Sequence, residues 1–586
     1  MSSLLSLPSE ILDSICEYAA AGYRPSLANL ALVSKCWRTI TSKHRFQCIS
    51  ITVDEDRERL EEVVQTWTGI LEAASAFTVV RHLSFIPASL EITGLYDSEE
   101  PDYTEPADDL TCQDQYYNQA ISFLFGRKSE YERDEDWDCL ARFLAQLSNL
   151  KDLVWAWGTL FPCSLLEVLH QKVPHCRLHN RAFQLPSLRQ HADHPHDIDR
   201  RDYALATSPS LSSVLYNQEA VMQLARGLAP NLARVHIVNR AFGASASDYE
   251  AVRRGRPPWR GFFPSNPLKS DSTDFLGPAR LEWWSLSPSI MQYFRPWGEC
   301  LDFSVLRILH LWEVTGETLI SLNTPSFNCL KVLAIDLEYP EDRRAEEYSA
   351  GKASRLDEAA SSFLSESLHY LSLISPGTSL TALITVGQIK QIQEACPKIR
   401  DLRLPILRTQ GNADEVAIYK ALGRFTQLTD LLFQLHLEAH KPNPEPFDHT
   451  PSPPSIPSPE TLVNVAVDGS LARGIFNTVV TTGARSLQRL KLKRSKTSIP
   501  YAVDTIASIM MRQWECTKLP RNGNEDPEIK IDVREIGAKA RLLHQSEGVE
   551  LGLCEEEFRK LWPAISDNWE DDWHSFPLES GLDSGI

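Results

Sequence analysis

No two cysteines in this 586-residue chain are spaced C-x-x-C, and the twelve present are too few to staple a chain of this length. That excludes a zinc ribbon, a redox dithiol motif and a disulfide scaffold. Reduced, mostly buried thiols in a cytoplasmic or nuclear protein are the expectation. The N-terminus lacks the basic n-region and unbroken apolar h-region of a signal peptide. Long apolar runs are missing too. The longest uncharged stretch, HYLSLISPGTSLTALITVGQI, is interrupted at its centre by Ser-Pro-Gly-Thr, whereas a membrane span needs about 20 predominantly apolar residues. It reads as strand–turn–strand, and no membrane contact is expected. Basic residues are in deficit: 59 Lys and Arg stand against 78 Asp and Glu, a formal net charge of −19. A general nucleic-acid binder is excluded, because so acidic a chain is repelled by a phosphate backbone at long range.

Catalytic signatures are also absent. The sequence contains no G-x-x-x-x-G-K-[ST], G-x-G-x-x-G, G-x-S-x-G or H-E-x-x-H, so no catalytic residue and no cofactor is expected. The nearest approach to a metal cluster is HADHPHDIDRRD, with His191, His194, His196, Asp197 and Asp199. Such residues suit zinc or a harder divalent ion, and they supply the outlying alternative of a metal-dependent enzyme. The segment itself reads as a surface loop. His436 and His440 would share a face on a helix, yet they follow LTDLLFQL, which reads as a strand. RRGRPPWRGFF sets Arg253, Arg254, Arg256 and Arg260 around Trp259, as a single-strand binder would. In so acidic a chain it reads as a solvated insertion.

What the sequence does hold is a returning phrase of apolar, two variable, apolar, one variable, apolar. Ten copies carry the reading: VRHLSF from Val80, LKDLVW from Leu150, LARVHI from Leu232, LRILHL from Leu306, LKVLAI from Leu330, LTALIT from Leu380, IRDLRL from Ile399, LTDLLF from Leu428, LVNVAV from Leu462 and LQRLKL from Leu487. This is the short core of a leucine-rich repeat, whose last two apolar positions point inward from a strand. Helix-like lead-ins precede several copies, which implies a parallel sheet with helices outside it. The copies start 19 to 82 residues apart, against about 20–29 in regular repeats, so the predicted solenoid is irregular. Polar insertions fill residues 96–115, 247–272 and 340–358. Residues 441–460 hold eight prolines in twenty and should form an extended, exposed loop. From Gln545 onward there are eleven acidic residues, with Trp562, Trp569 and Trp573 among them; the tryptophans suggest a tail that docks on something.

The N-terminal stretch SLLSLPSEILDSICEYAAAGYRPSLANLALVSKCWRTIT carries two apolar helical stripes. Pro8 suits the first turn of a helix, and Ile11, Leu12, Ile15, Cys16 and Ala19 recur at helical spacing. Gly22 and Pro25 break the pattern. A second predicted helix carries Leu27, Leu30, Val33, Trp37 and Ile40. A unit of about 40 residues rarely encloses a sufficient core by itself.

This stretch resembles the F-box motif. Leu7, Pro8, Glu10, Ile11 and Leu12 match its L-P-x-E-[IL]-L start, and Leu30, Val33, Ser34 and Trp37 match its second half. The resemblance covers about 45 residues. It implies that Leu7, Pro8, Glu10, Ile11, Leu12, Leu30, Val33 and Trp37 bind the Skp-type adaptor of an SCF cullin–RING ubiquitin ligase, the remainder of the chain receiving a protein substrate. The remainder resembles the divergent leucine-rich-repeat-like regions of fungal-type F-box proteins, and it lacks the asparagine ladder position and constant spacing of the regular repeat.

The expected fold is therefore α/β: a helical F-box over 1–45, an irregular leucine-rich-repeat-like solenoid over 46–440, a proline-rich loop over 441–460, the last repeats over 461–544, and an acidic, Trp-containing segment over 545–586. The expected role is substrate recognition, with a non-degradative scaffold as the alternative. Side chains alternate across a strand, so each phrase also predicts one exposed face. Arg307, Arg403 and Arg489 fall on it and are candidate contacts for an acidic or phosphorylated substrate.

Overall fold

The structure is a computed structural model of the chain. It describes residues 7–22, 25–53, 57–87, 134–156, 160–180, 183, 197–215, 218–237, 262, 279–286, 301–314, 327–337, 364, 366–374, 384–437, 458–494, 506–507, 509–519, 530–538, 551–566 and 568–579. His191, His194, His196 and His440, the three polar insertions apart from Phe262, and the proline-rich loop up to residue 457 lie outside them. The described architecture is mixed α/β, and none of its helices is long and apolar enough to cross a membrane. The chain divides into two compact units, one from Met1 to Trp284 with Arg295–Asp302, the other from Ser285 to Phe294 with Phe303–Ile586.

The first unit opens with three short helices, α1 (Ser9–Gly22), α2 (Pro25–Val33) and α3 (Lys35–Arg45). The expected second helix is thus two. Ser34 divides them: its backbone is extended (φ −161°, ψ 164°), and its hydroxyl accepts the Trp37 N–H at 3.2 Å as the N-cap of α3. A serine there satisfies an amide that the helix start leaves orphaned. Strands β1 (Cys48–Val53), β2 (His82–Pro87), β3 (Asp152–Trp155), β4 (Arg177–Asn180), β5 (Leu211–Leu215) and β6 (Arg234–Ile237) follow. Each pairs parallel with the next in chain order. Helices α4 (Arg57–Ala74), α5 (Asp138–Leu144), α6 (Cys163–Lys172), α7 (Arg200–Ala206) and α8 (Gln218–Gln223) come between them. Leu83, Leu153 and Leu178 stand in register and are fully buried, beside a row of Phe85 and Trp155. These are the two inward positions of the repeated phrase.

Strand β7 (Trp283–Leu286) lies at the division. The second unit continues with β8 (Ile308–Val314), β9 (Val332–Leu337), β10 (Tyr370–Ile374), helix α9 (Val386–Ala395), β11 (Asp401–Leu407), α10 (Ala413–Leu422), β12 (Asp430–His436), α11 (Pro459–Val465), α12 (Gly469–Thr481) and β13 (Arg489–Arg494). From β8 to β13 pairing is again parallel and sequential. Leu309, Leu333, Leu371, Leu402, Leu431 and Leu490 form one buried ladder. Phe433 in the next row stacks on Tyr419 of α10 with ring centroids 5.5 Å apart, so the helices cover the leucine side. The unit ends differently from expectation: β14 (Gln513–Lys518) and β15 (Ile531–Ile536) are antiparallel.

Eight of the ten phrases lead into strands; LVNVAV does not, and residues 380–383 of LTALIT lie outside the described residues. LVNVAV from Leu462 runs into α11, because Ser458 caps that helix, accepting the Thr461 N–H at 3.3 Å, and Pro459 pre-sets its first turn. LTALIT from Leu380 ends on Thr385, which caps α9 in a capping box with Gln388. In that region the strand is the first half of the uncharged run, Tyr370–Ile374. The tail docks as expected. Trp562 donates its indole N–H to the His574 carbonyl at 3.0 Å, the Ser575 hydroxyl donates to Asp468 at the start of α12 at 2.6 Å, and Arg512 lies 4.9 Å over the Trp573 ring.

Candidate interaction surfaces

The three N-terminal helices close a small core of Leu12, Cys16, Leu27 and Trp37, with Ile15, Ala19, Leu30 and Ile40 packed against it. A hydrogen bond between His44 Nε2 and the Asp13 carboxylate at 3.0 Å ties α3 to α1. The eight expected adaptor contacts therefore separate into two sets. Leu12 and Trp37 are 3% and 5% exposed and hold the unit together. Leu30 packs against the same cluster. Leu7, Pro8, Glu10, Ile11 and Val33 face solvent. Leu7 is 38% exposed, Ile11 48% and Val33 69%, and Leu32, which the sequence reading passed over, is 79% exposed. Leu32 and Val33 are adjacent at the end of α2, where helical periodicity would bury at most one. That breach of the period was the available signal.

On the sheet of the second unit, the face away from the helices is polar but internally matched. Arg403, 4% exposed, lies 4.8 Å over the Tyr370 ring and 3.5 Å from Asp401. Arg489 donates to Asp430 at 2.7 Å. Arg307 is exposed just before β8. Two of the three candidate phosphate-binding arginines are thus held by carboxylates of the same ladder, Asp401 and Asp430. Those acids stand at the first positions of β11 and β12. On the same face His310 is 5% exposed, and burial followed by the Arg403 charge pushes its pKa down to about 3.

The first unit carries a comparable cluster on β2, β3 and β4. Asp152 accepts from His82 at 3.0 Å, from Arg177 at 2.6 Å and from His179 at 3.0 Å. Burial opposes its ionisation, but hydrogen bonds from His179, His82 and Arg177 outweigh that and hold the carboxyl far below the usual range. A carboxylate whose pKa is depressed on folding adds stability above its unfolded pKa of about 3.9, and that stability is lost as pH falls. The first unit is accordingly expected to lose stability below about pH 5. Asp152→Asn should abolish most of that pH dependence, as read by thermal melting from pH 7 to pH 3.

The metal alternative gains no geometry. Asp199 is the N-cap of α7, accepting the Arg201 N–H at 2.7 Å. Among the described residues no group of His, Cys, Asp or Glu is placed to hold a metal ion. His436 lies in β12, as read from the sequence, and is buried. No protein-family model matches the chain, and no curated protein matches it.

Proposed function

We propose that the chain is a substrate-recognition subunit of an SCF-type cullin–RING ubiquitin ligase. Its N-terminal helices dock a Skp-type adaptor, and the strand-and-helix array behind them is a divergent leucine-rich-repeat solenoid that receives a protein substrate. It performs no chemistry of its own on this reading. It raises the effective concentration of its substrate near a charged ubiquitin carrier, in cytosol or nucleus.

The observation that carries the reading is the exposure of Leu7, Ile11, Leu32 and Val33 on helices whose own core is already closed. Folding gains nothing from leaving these side chains in water, and several exposed large apolar side chains on one small helical unit are usual at protein interfaces. The test is capture of purified Skp-type adaptor by the full chain. The double variant Ile11→Asp, Val33→Asp should lose capture at least about 100-fold, since it places two charges in a desolvated contact. Because both positions are exposed, its melting temperature should stay near that of wild type. Undiminished capture overturns the proposal.

A further inference from the structure

Among the described residues, matching stops at one place on the polar sheet face of the second unit. Gln434 of β12 stands opposite Lys493 of β13. The antiparallel pairing of Leu492 with Trp514 brings Gln513, at the start of β14, to the other side of Lys493. Strands alternate their side chains, and Leu431, Phe433 and Leu435 take the helix side, so Gln434 and His436 share the opposite face. The Oε1 atoms of Gln434 and Gln513 and Nε2 of His436 are buried and make no hydrogen bond. His436 is 7% exposed, and burial pushes its pKa down to about 4. It is neutral at physiological pH.

A buried acceptor without a donor carries its full desolvation penalty, and folded proteins rarely keep several together. The adjoining row shows the contrast. There Lys491 stands 3.8 Å from Glu515, which also binds Arg534 at 2.9 Å. Pro405 borders the unmatched patch on β11, and the pairing of β11 with β10 ends at Arg403 opposite Ser372, two residues earlier.

We propose that Gln434, His436 and Gln513 form a docking ledge for an extended, uncharged stretch of polypeptide whose backbone N–H groups meet the two glutamine oxygens, a backbone N–H or C=O meeting His436 Nε2 according to its tautomer. The ledge asks for donors, which excludes a phosphate or carboxylate as the principal contact. The Lys493 and Lys491 ammonium groups on the same face disfavour a cationic donor, which leaves a neutral one. A peptide backbone presents neutral N–H groups beside carbonyls that a neighbouring ammonium favours. Gln434 and Gln513 are two strand spacings apart, about 9.5 Å, a span that an extended chain covers in about three residues. Both glutamines are half-buried, so a turn about the terminal torsion, a soft one, brings each carboxamide to the approaching chain. This deepens the substrate-receptor reading and rests on it: the glutamines, rather than the paired arginines, make the contact.

The experiment selects random twelve-residue peptides displayed on phage against the immobilised full-length chain, then titrates the best synthetic binder by calorimetry. Gln434→Leu, Gln513→Leu should weaken that binder about tenfold or more. The same double variant should melt about 2–4 °C higher, because leucine of similar volume no longer buries an unpaired amide. Equal affinity for wild type and variant, failure to enrich any peptide, or a lowered melting temperature overturns the ledge; the last would mean that the amides serve the fold. Adaptor capture is measured in parallel. Its failure with peptide binding intact sinks the ligase reading and spares the ledge, and the converse result does the opposite.

Discussion

Glu415→Ala is expected to cost the second unit about 3–5 kcal/mol, read as the shift of its transition in urea unfolding. Glu415 is 1% exposed and carries the turn between β11 and α10. It pairs with Arg408, accepts the Thr409 N–H at 2.7 Å and the Gly411 N–H at 3.0 Å, and takes the Tyr419 hydroxyl at 2.6 Å. Gln410 and Gly411 are both left-handed there, at φ 63° and 74°, and Asn464 fixes the Gln410 amide from α11 at 2.6 Å. Truncating the carboxylate strands the Arg408 guanidinium, itself 2% exposed, in a dry interior. That uncompensated charge is the dominant penalty, larger than the loss of any single hydrogen bond. The C-terminal segment should loosen with it, since the Glu579 N–H donates to the Gly411 carbonyl at 2.9 Å. A cost below about 1 kcal/mol would contradict the assignment of this carboxylate as the anchor of the turn.

Trp37→Ala is expected to be comparably severe for a different reason. The side chain fills the centre of the three-helix core, and large-to-small changes of buried aromatics cost about 3–5 kcal/mol. The unit has few other buried side chains to compensate. Adaptor capture should fall because the helices melt, which circular dichroism and amide exchange over residues 9–45 would register. Ile11→Asp and Val33→Asp should remove capture with those helices intact. If Trp37→Ala keeps the helices folded and loses only capture, Trp37 contacts the adaptor directly and the division of the eight residues into core and surface is wrong.

The repeated phrase was legible because two inward leucines on a strand bury the same way in every copy, as Leu402, Leu431 and Leu490 do. Where it failed, local capping chemistry overrode it: Ser458 with Pro459 starts a helix that runs into LVNVAV. Strands β4, β5 and β7 were missed because their phrases carry polar or aromatic residues that none of the ten copies has at those positions: His175 and Asn180 open and close HCRLHN, Tyr216 closes LSSVLY, and Trp284 stands in the middle of LEWWSL. Antiparallel β14 and β15 carry no such phrase at all.

The surfaces were harder to read than the core. Helical spacing groups Trp37 with Ile11 and Val33 as apolar, and only packing separates the residue inside from those outside. Strand alternation puts Arg403 and Arg489 on one face, but the hold of Asp430 on Arg489 depends on the register between β12 and β13, which the sequence does not reveal. The unpartnered glutamines give no sequence signal, since an amide is orphaned or satisfied only by what surrounds it.

Amide hydrogen exchange on the full chain, with and without purified Skp-type adaptor, tests the docking face most directly. Slowed exchange concentrated in residues 7–33, over α1 and α2, is the predicted result, with the strands of both units unchanged. Protection elsewhere with none over those helices, or no protection at saturating adaptor, would contradict the account.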